Sequence, residues 1–490
     1  MVDTQQLGAA PALLLAQKRL VPWLVAVAFL MESLDTTILN TAAPTVADAL
    51  GVAPLSMKAV LSSYTLSLAI FIPVSGWMAD RFGTRQVFSS AIALFTLGSL
   101  LCGLATEIHV LVACRILQGM GGALMVPVGR LTIVRTFERS ELVRAMSFVA
   151  IPALIGPMLG PVVGGFIVSY FHWRMIFFVN LPIGLLGMLL VWRYLPAYRA
   201  ERVPPLDVVG LVLFGAGTAL LSYVLEVFGE HTLGTASIVA LLALSALLLA
   251  TYFLHARAST HPLLQLGLFR TRTFRSAVAG SFLTRLGAGG LPFLLPLLYQ
   301  VGLGYSPVQS GLLLMPQSVA ALGMKMTMPM ILNRLGYRKV LVSNTLLMGS
   351  AIALFATVGR QTPVLPILLL SASFGFLASL QYTSMNTLAY ADVSDSDASK
   401  ASTIASTLQQ MSLSFGLAMA TLVTSFFLAE LPQSDHVAVT RALHHGYLMM
   451  AMLTLLSSLA FRGLRKNDGE SVSRGGAGRD PGESRHSEVA

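Results

Sequence analysis

The chain is a succession of long apolar runs separated by short charged intervals. A helix needs about 20 mostly apolar residues to cross a bilayer. By that measure the pattern predicts fourteen spans: 21–44, 58–79, 87–105, 107–129, 143–168, 175–195, 206–228, 235–256, 273–301, 307–331, 338–358, 364–390, 401–428 and 443–462. Residues 1–20 form a leading tail, and 463–490, rich in Gly, Ser, Arg and Glu, are expected to be disordered.

The intervals carry the sidedness. With the N-terminus inside, Lys and Arg crowd the cytoplasmic loops, and only Lys58, Arg174, Arg360 and Arg441 fall on the other side. Cytoplasmic loops of membrane proteins carry such an excess of positive charge. Both termini are therefore expected in the cytoplasm, with the chain crossing a bacterial inner membrane many times. Lys18 and Arg19 precede the first apolar run and no small-residue cleavage site follows it, so that run is expected to stay as a span.

An internal echo divides the chain. DRFGTRQV at 80–87 returns as NRLGYRKV at 333–340, each after the second span of a six-span block. Repeats about an axis along the membrane normal are found in transporters. The blocks are 21–195 and 273–462, and the pair 206–256 is an insert whose even number of spans preserves orientation. The expected fold is an all-α polytopic membrane protein of two six-helix bundles.

Composition agrees. Of 490 residues, 55% are hydrophobic and 11% charged, against about 25% charged in soluble domains. The formal charge of +10 is dispersed over many loops, which disfavours a nucleic-acid surface. Cys102 and Cys114 sit in apolar runs and read as packing residues. There is no G-x-x-x-x-G-K-[ST] loop for ATP, no H-E-x-x-H helix for zinc and no loop bearing a catalytic cluster. No enzyme activity, cofactor or metal site is expected, and the energy for any work must come from elsewhere, such as a gradient.

The informative residues are charges inside the spans, each costing at least about 2.5 kcal/mol to insert. Glu32 and Asp35 share one face of the first span. Asp35 lies roughly 21 Å from the inner end, Arg115 roughly 12 Å from the outer end of the fourth span, and Arg285 roughly 18 Å from the inner end of the ninth. One acidic pair and two arginines are thus expected to converge near the midplane. There, desolvation favours the neutral acid and a neighbouring Arg favours the anion, so the carboxyl can take up and release a proton. A static ion pair that locks two helices is the alternative reading. Lys325 lies roughly 9 Å from its inner end, within reach of the interface. Glu226 sits near an outer helix end.

The stretches LDTTILNTAAP (34–44), GWMADRFGTRQ (76–86) and RILQGMGGA (115–123) resemble the major facilitator superfamily. GPMLGPVVGG (156–165) resembles its antiporter motif. WRMIFFVNLPIG (173–184), with the two extra central spans, resembles the fourteen-helix drug:proton antiporters of the EmrB/QacA type. The resemblance implies an inner-gate motif at Gly76, Asp80, Arg81, Gly83 and Arg85, with Asp80 facing a helix N-terminus of the other half near Lys400. It implies an antiporter bend at Gly156, Pro157, Gly160, Pro161, Gly164 and Gly165. It assigns proton coupling to Asp35, with Glu32 beside it, and makes Arg115 the motif arginine. Asn333 stands where the first repeat has Asp80, so the two halves should gate unequally.

Two transport readings follow. One is a monomeric multidrug exporter driven by protons. The other is an exporter of a small organic anion or metal chelate, since Arg115, Arg285 and Lys325 place as much cation as acid within the spans. A membrane receptor or regulator is more remote, because the short stretch after Arg462 does not resemble a signalling domain.

Overall fold

A computed structural model describes residues 4–201, 203–228, 234–394, 397–428, 436–465 and 467–469. Among these residues the chain is helical and contains no strand. In a bilayer each backbone N–H and C=O must be satisfied within the segment, and a helix does this alone.

The first half comprises α1 (Thr4–Ala49), α2 (Met57–Phe82), α3 (Thr84–Leu104), α4 (Ile108–Thr136), α5 (Arg139–Tyr170), a short α6 (Met175–Phe178) and α7 (Asn180–Tyr194). The insert is α8 (Val208–Phe228) and α9 (Thr235–Ala258). The second half comprises α10 (Arg272–Ala288), α11 (Leu291–Leu297) with a π turn at Leu298–Gly302, α12 (Pro307–Phe355), α13 (Val364–Ala389), α14 (Ala398–Leu428) and α15 (His436–Ser457). Among the described residues, twelve helices are long and apolar enough to cross a membrane.

Several expected boundaries shift, for physical reasons. The spans 307–331 and 338–358 lie end to end within α12 as two helices that part at Gly336, where φ is 73°. The span 273–301 is interrupted at Gly289 and Gly290, where α10 ends and α11 begins. A side chain at Gly290 would collide with Ala420, so the break also brings α11 close to α14. The last span begins at His436 rather than at residue 443. The polar residues His436 and His444 lower the local hydropathy, yet they face acceptors: His436 pairs with the Val301 carbonyl and His444 with the Val358 carbonyl.

Residues 463–465 and 467–469 of the expected disordered tail are described. The Asp468 carboxylate accepts from Arg272 Nε at 3.1 Å and from the Arg465 amide at 2.8 Å, which ties this segment to the start of α10. Residue 466 and residues 470–490 of that tail lie outside the described residues.

The repeated loops are structural equivalents. Gly83 and Gly336 adopt φ of 92° and 73°, a region that side-chain-bearing residues rarely enter. Both glycines turn the chain sharply from the second helix of a bundle into the third.

Packing differs between the two ends of the bundle. At the face opposite the repeated loops, one apolar core joins both halves, from Ile38, Val46 and Leu61 to Leu294, Tyr299, Phe374 and Tyr447. At the loop face there are two separate cores, one around Phe29, Phe88 and Val128 and one around Phe274, Leu341 and Phe461. The halves therefore share one core at one end and keep largely separate cores at the other.

The insert is anchored at one corner. Asp207 caps α8, its carboxylate accepting from the Gly210 amide at 2.8 Å, and it also holds His255 of α9 at 2.7 Å and the Leu263 amide at 2.9 Å. Replacing Asp207 by Ala removes all three bonds. Loss of the cap alone costs about 1–2 kcal/mol. Asp207→Asn, which keeps an acceptor, should lose less, and thermal unfolding of the two variants in detergent measures the difference.

Candidate functional site

The buried centre of the first half is polar. Asp35, on α1, is 3% exposed and Arg115, on α4, is fully buried. Asp35 Oδ2 accepts from Arg115 Nη1 at 2.6 Å. Asp35 Oδ1 accepts from Gln118 Nε2 at 2.8 Å and from Asn180 Nδ2 at 2.9 Å. Arg115 also donates to Gln118 Oε1 at 2.7 Å, and Asn180 donates to Ser99 Oγ at 3.1 Å. One carboxylate thus gathers side chains from α1, α4 and α7, with α3 behind them.

Each position follows from local structure. Arg115 and Gln118 are three residues apart on α4 and so share a face. Asn180 opens α7, immediately after the short α6. Buried polar groups need partners, and here one acid serves three donors. Two groups remain open: Arg115 Nε and Nη2 are buried without a hydrogen-bond partner. The guanidinium lies over the Tyr64 ring, 4.3 Å from its centroid. Tyr64 Oη in turn donates to Glu32 Oε1 at 3.5 Å. Glu32 is therefore one turn from Asp35 and is linked to Arg115 through an aromatic ring.

The expected convergence of both arginines is half met. Arg285 does not join Asp35. It is 3% exposed on α10, donates to Ser281 and lies over the Tyr382 ring at 4.4 Å. Matching depth places two residues on one level but on different helices of different halves, which is why the sequence estimate did not separate them. Among the described residues Arg285 has no carboxylate within ion-pair distance. Lys325, instead of reaching the interface alone, donates to Thr383 Oγ1 of α13 at 2.6 Å. The side chain of Glu226 lies outside the described residues.

At the loop face Asp80 accepts from Arg135 Nη2 at 2.6 Å, and its carbonyl accepts from the Ala200 amide. Here Asp80 is paired within its own half; the helix expected to face it, α14, begins at Ala398, near Lys400. Arg85 donates to the Leu195 carbonyl, and Arg81 is exposed. Gly76 has open space where a Cβ would sit.

The glycines of α5 are contact points. A Cβ at Gly156 would strike Ser33, one at Gly160 would strike Thr37, and one at Gly164 would lie 2.6 Å from the Ile38 carbonyl, all on α1 beside Asp35. Gly165 meets Pro307, and Ser318 donates to the Pro157 carbonyl at 2.9 Å, so the same helix touches α12 of the second half. Pro152, Pro157 and Pro161 remove amide donors from its interior. Substituting Gly164 by Val should overpack the α1–α5 contact at a cost of about 1–3 kcal/mol. Lowered thermal stability and lowered transport together would show this; an unchanged melting point would contradict the packing.

Sequence reasoning passed over Gln118, Asn180, Ser99 and Tyr64. The available signal was an amide side chain within an apolar run, since an uncharged polar residue at that depth also needs a partner. Among the described residues no cluster of His, Cys, Asp and Glu has the composition of a metal site.

Residues 25–417 match the Major Facilitator Superfamily. The chain is 40% identical over 441 residues to a protein of Pectobacterium atrosepticum, covering 90% of this chain and 94% of that one, and named "Putative multidrug resistance protein MdtD". The protein of the same name in Escherichia coli K12 is 39% identical over 453 residues, covering 92% and 96%. Among solved structures, a bacterial homologue of the human lysosomal transporter Spinster, inward-facing and unoccupied, aligns with a TM-score of 0.65 at 15% identity, covering 91% and 97%. The human organic anion transporter MFSD10 aligns with a TM-score of 0.58 at 17% identity, covering 90% and 99%. At those identities the likeness speaks to fold alone. The match over most of its length, and relatives so similar across nearly all of it, make this chain a multi-pass membrane protein of the Major Facilitator Superfamily.

Proposed function

We propose that the protein is a proton-coupled antiporter that exports small molecules by alternating access, with multidrug efflux as its role. The observation that carries the proposal is the buried Asp35–Arg115–Gln118–Asn180 cluster. The name shared by its relatives supports the substrate class. The two spans within α12, one on each side of Gly336, and the full length of α5 support fourteen crossings, with the insert between two six-helix bundles. The charge bias of the loops supports an inner-membrane location with both termini in the cytoplasm, and nothing in the proposed cycle requires more than one copy.

On this topology the end with separate cores faces the cytoplasm. Three donors converge on the Asp35 carboxylate, and a proton delivered to Oδ2 removes the acceptor of the Arg115 bond. Arg115 then keeps only Gln118, the face of Tyr64 and, beyond it, Glu32. The hold of α4 on α1 weakens, while α1 remains packed on the glycines of α5. Because α5 also touches α12, a shift of α1 is transmitted to the other half. Asp80 with Arg135 closes the loop face within the first half.

A second reading rests on a specific observation. Among the described residues Arg285 and Lys325 lack carboxylate partners, and Arg115 has two unpartnered donor nitrogens, Nε and Nη2. Those donors suit a small organic anion or an anionic metal chelate as cargo.

The test uses purified protein in liposomes loaded with a pH-sensitive dye. Lipophilic cations and small carboxylates are added in turn. Proton movement evoked by the cations supports drug:proton antiport. A response confined to carboxylates or their metal complexes selects the second reading, and no proton movement with any cargo removes the coupling.

A further inference from the structure

The two repeated loops are treated differently by the chain that follows each bundle. In the first half, the segment after α7 is laid across the loop. The Thr84 amide donates to the Tyr198 carbonyl, Thr84 Oγ1 to the Pro196 carbonyl, the Ala200 amide to the Asp80 carbonyl, and Arg85 to the Leu195 carbonyl. Asp80 supplies the anion, paired with Arg135.

In the second half Asn333 replaces Asp80 and contributes no charge. Among the described residues, Gly469 of the segment after α15 lies against Tyr337, Leu464 packs in the same core, and a cavity of about 910 Å³ remains beside the loop. Arg334, Arg338, Lys339 and Arg462 line one end of it. Among the described residues none of these four has an ion-pair partner. Asp468, the one acid in the lining among the described residues, is already bonded to Arg272 and to the Arg465 amide. The other end is apolar, with Val342 and Leu346. Leu346 is 44% exposed, and its neighbours Leu347 and Leu354 continue an outward-facing apolar stripe along α12 at 57% and 53% exposed.

We infer that this cavity is a binding site for an anionic phospholipid. The phosphate sits among Arg334, Arg338, Lys339 and Arg462, and the acyl chains run along Val342 and Leu346 into the bilayer. Volume and chemistry agree. Ligand sites fall at about 300–1,000 Å³, and basic pockets between membrane helices are suited to anionic headgroups. A free anion would use the cationic end only, leaving the apolar end without a role. Arginine pairs with phosphate in bidentate geometry, so the headgroup supplies the negative charge that Asn333 lacks. The bound lipid then bridges the 333–340 loop to the segment after α15, as the hydrogen-bonded segment 195–200 bridges the first loop. The inference goes beyond the transport reading and requires only that the chain sits in a membrane.

The test uses the delipidated full chain in neutral detergent. It is titrated separately with short-chain phosphatidylglycerol, short-chain phosphatidylcholine and inorganic phosphate, and bound ligand is read by native mass spectrometry. Phosphatidylglycerol should bind at least tenfold more tightly than phosphatidylcholine. The combined substitution R334Q, R338Q, K339Q and R462Q should lower its affinity at least tenfold, and Leu346→Ser should lower it severalfold while leaving phosphate unaffected. Equal binding of the two lipids overturns the inference, as does a four-site variant that retains phosphatidylglycerol. Phosphate that binds as tightly as phosphatidylglycerol makes this a free-anion site and overturns it too. The comparison of lipids on the unsubstituted protein decides the matter even if the four-site variant fails to insert.

Discussion

Replacing Asp35 by Asn is expected to reduce gradient-driven transport to background while the protein is still made and inserted. Asn is nearly isosteric and retains one acceptor oxygen for Gln118 or Asn180. It cannot carry a proton between the two sides. Insertion depends on the apolar length of α1, which this change leaves intact. The measurement is proton flux in dye-loaded liposomes, with substrate binding assayed in parallel. Binding retained with flux lost places Asp35 in coupling; uphill transport that continues unimpaired removes Asp35 from the mechanism. Glu32→Gln should have a smaller effect, because Glu32 reaches Arg115 only through Tyr64.

The second large effect is expected at Arg115. Truncating it to Leu leaves the Asp35 carboxylate buried with only two amide donors. Removing one partner of a buried ion pair costs about 3–5 kcal/mol. Combining Asp35→Asn with Arg115→Leu removes both charges and should recover much of that stability, since the cost arises from the orphaned charge rather than from loss of the pair. Unfolding titrations in SDS across the four proteins of the cycle give the coupling energy. Recovery of stability without recovery of transport separates the mechanistic role of the pair from its structural one. Were the double variant no more stable than Arg115→Leu, the two side chains would not be acting on each other.

How far the site was legible in the sequence can be judged residue by residue. Asp35 and Arg115 were readable because a charge in an apolar run is expensive and so implies a partner. Depth along each span then put the two at one level, and the structure joins them. The same reasoning failed for Arg285, because depth is a single coordinate. Which helix faces which depends on how the bundles are rotated about their axes, and span-by-span reading carries no such information. Gln118 and Asn180 were missed because uncharged amides cost less to bury and stand out less, although they are the donors that complete the Asp35 shell. The glycines of α5 were visible as a motif, but their partners Ser33, Thr37 and Ile38 became known only from the packing.

By itself the sequence determined the all-helical membrane class and the approximate spans, and it set the expectation of their sidedness and of two bundles around an insert. These follow from solvent. A bilayer admits apolar helices of a set length, and the surface charge of the loops selects their orientation, so both properties are local and additive along the chain. The tertiary structure decided which acid meets which base, at which end of the bundle the halves share one core, and which repeated loop is covered. Those outcomes depend on contacts between residues far apart in the chain, where a difference of one helix face changes the partner. Asp80 meets Arg135 while its counterpart Asn333 borders an open basic cavity. One loop motif thus has two surroundings, because the segment that follows each bundle packs against it differently.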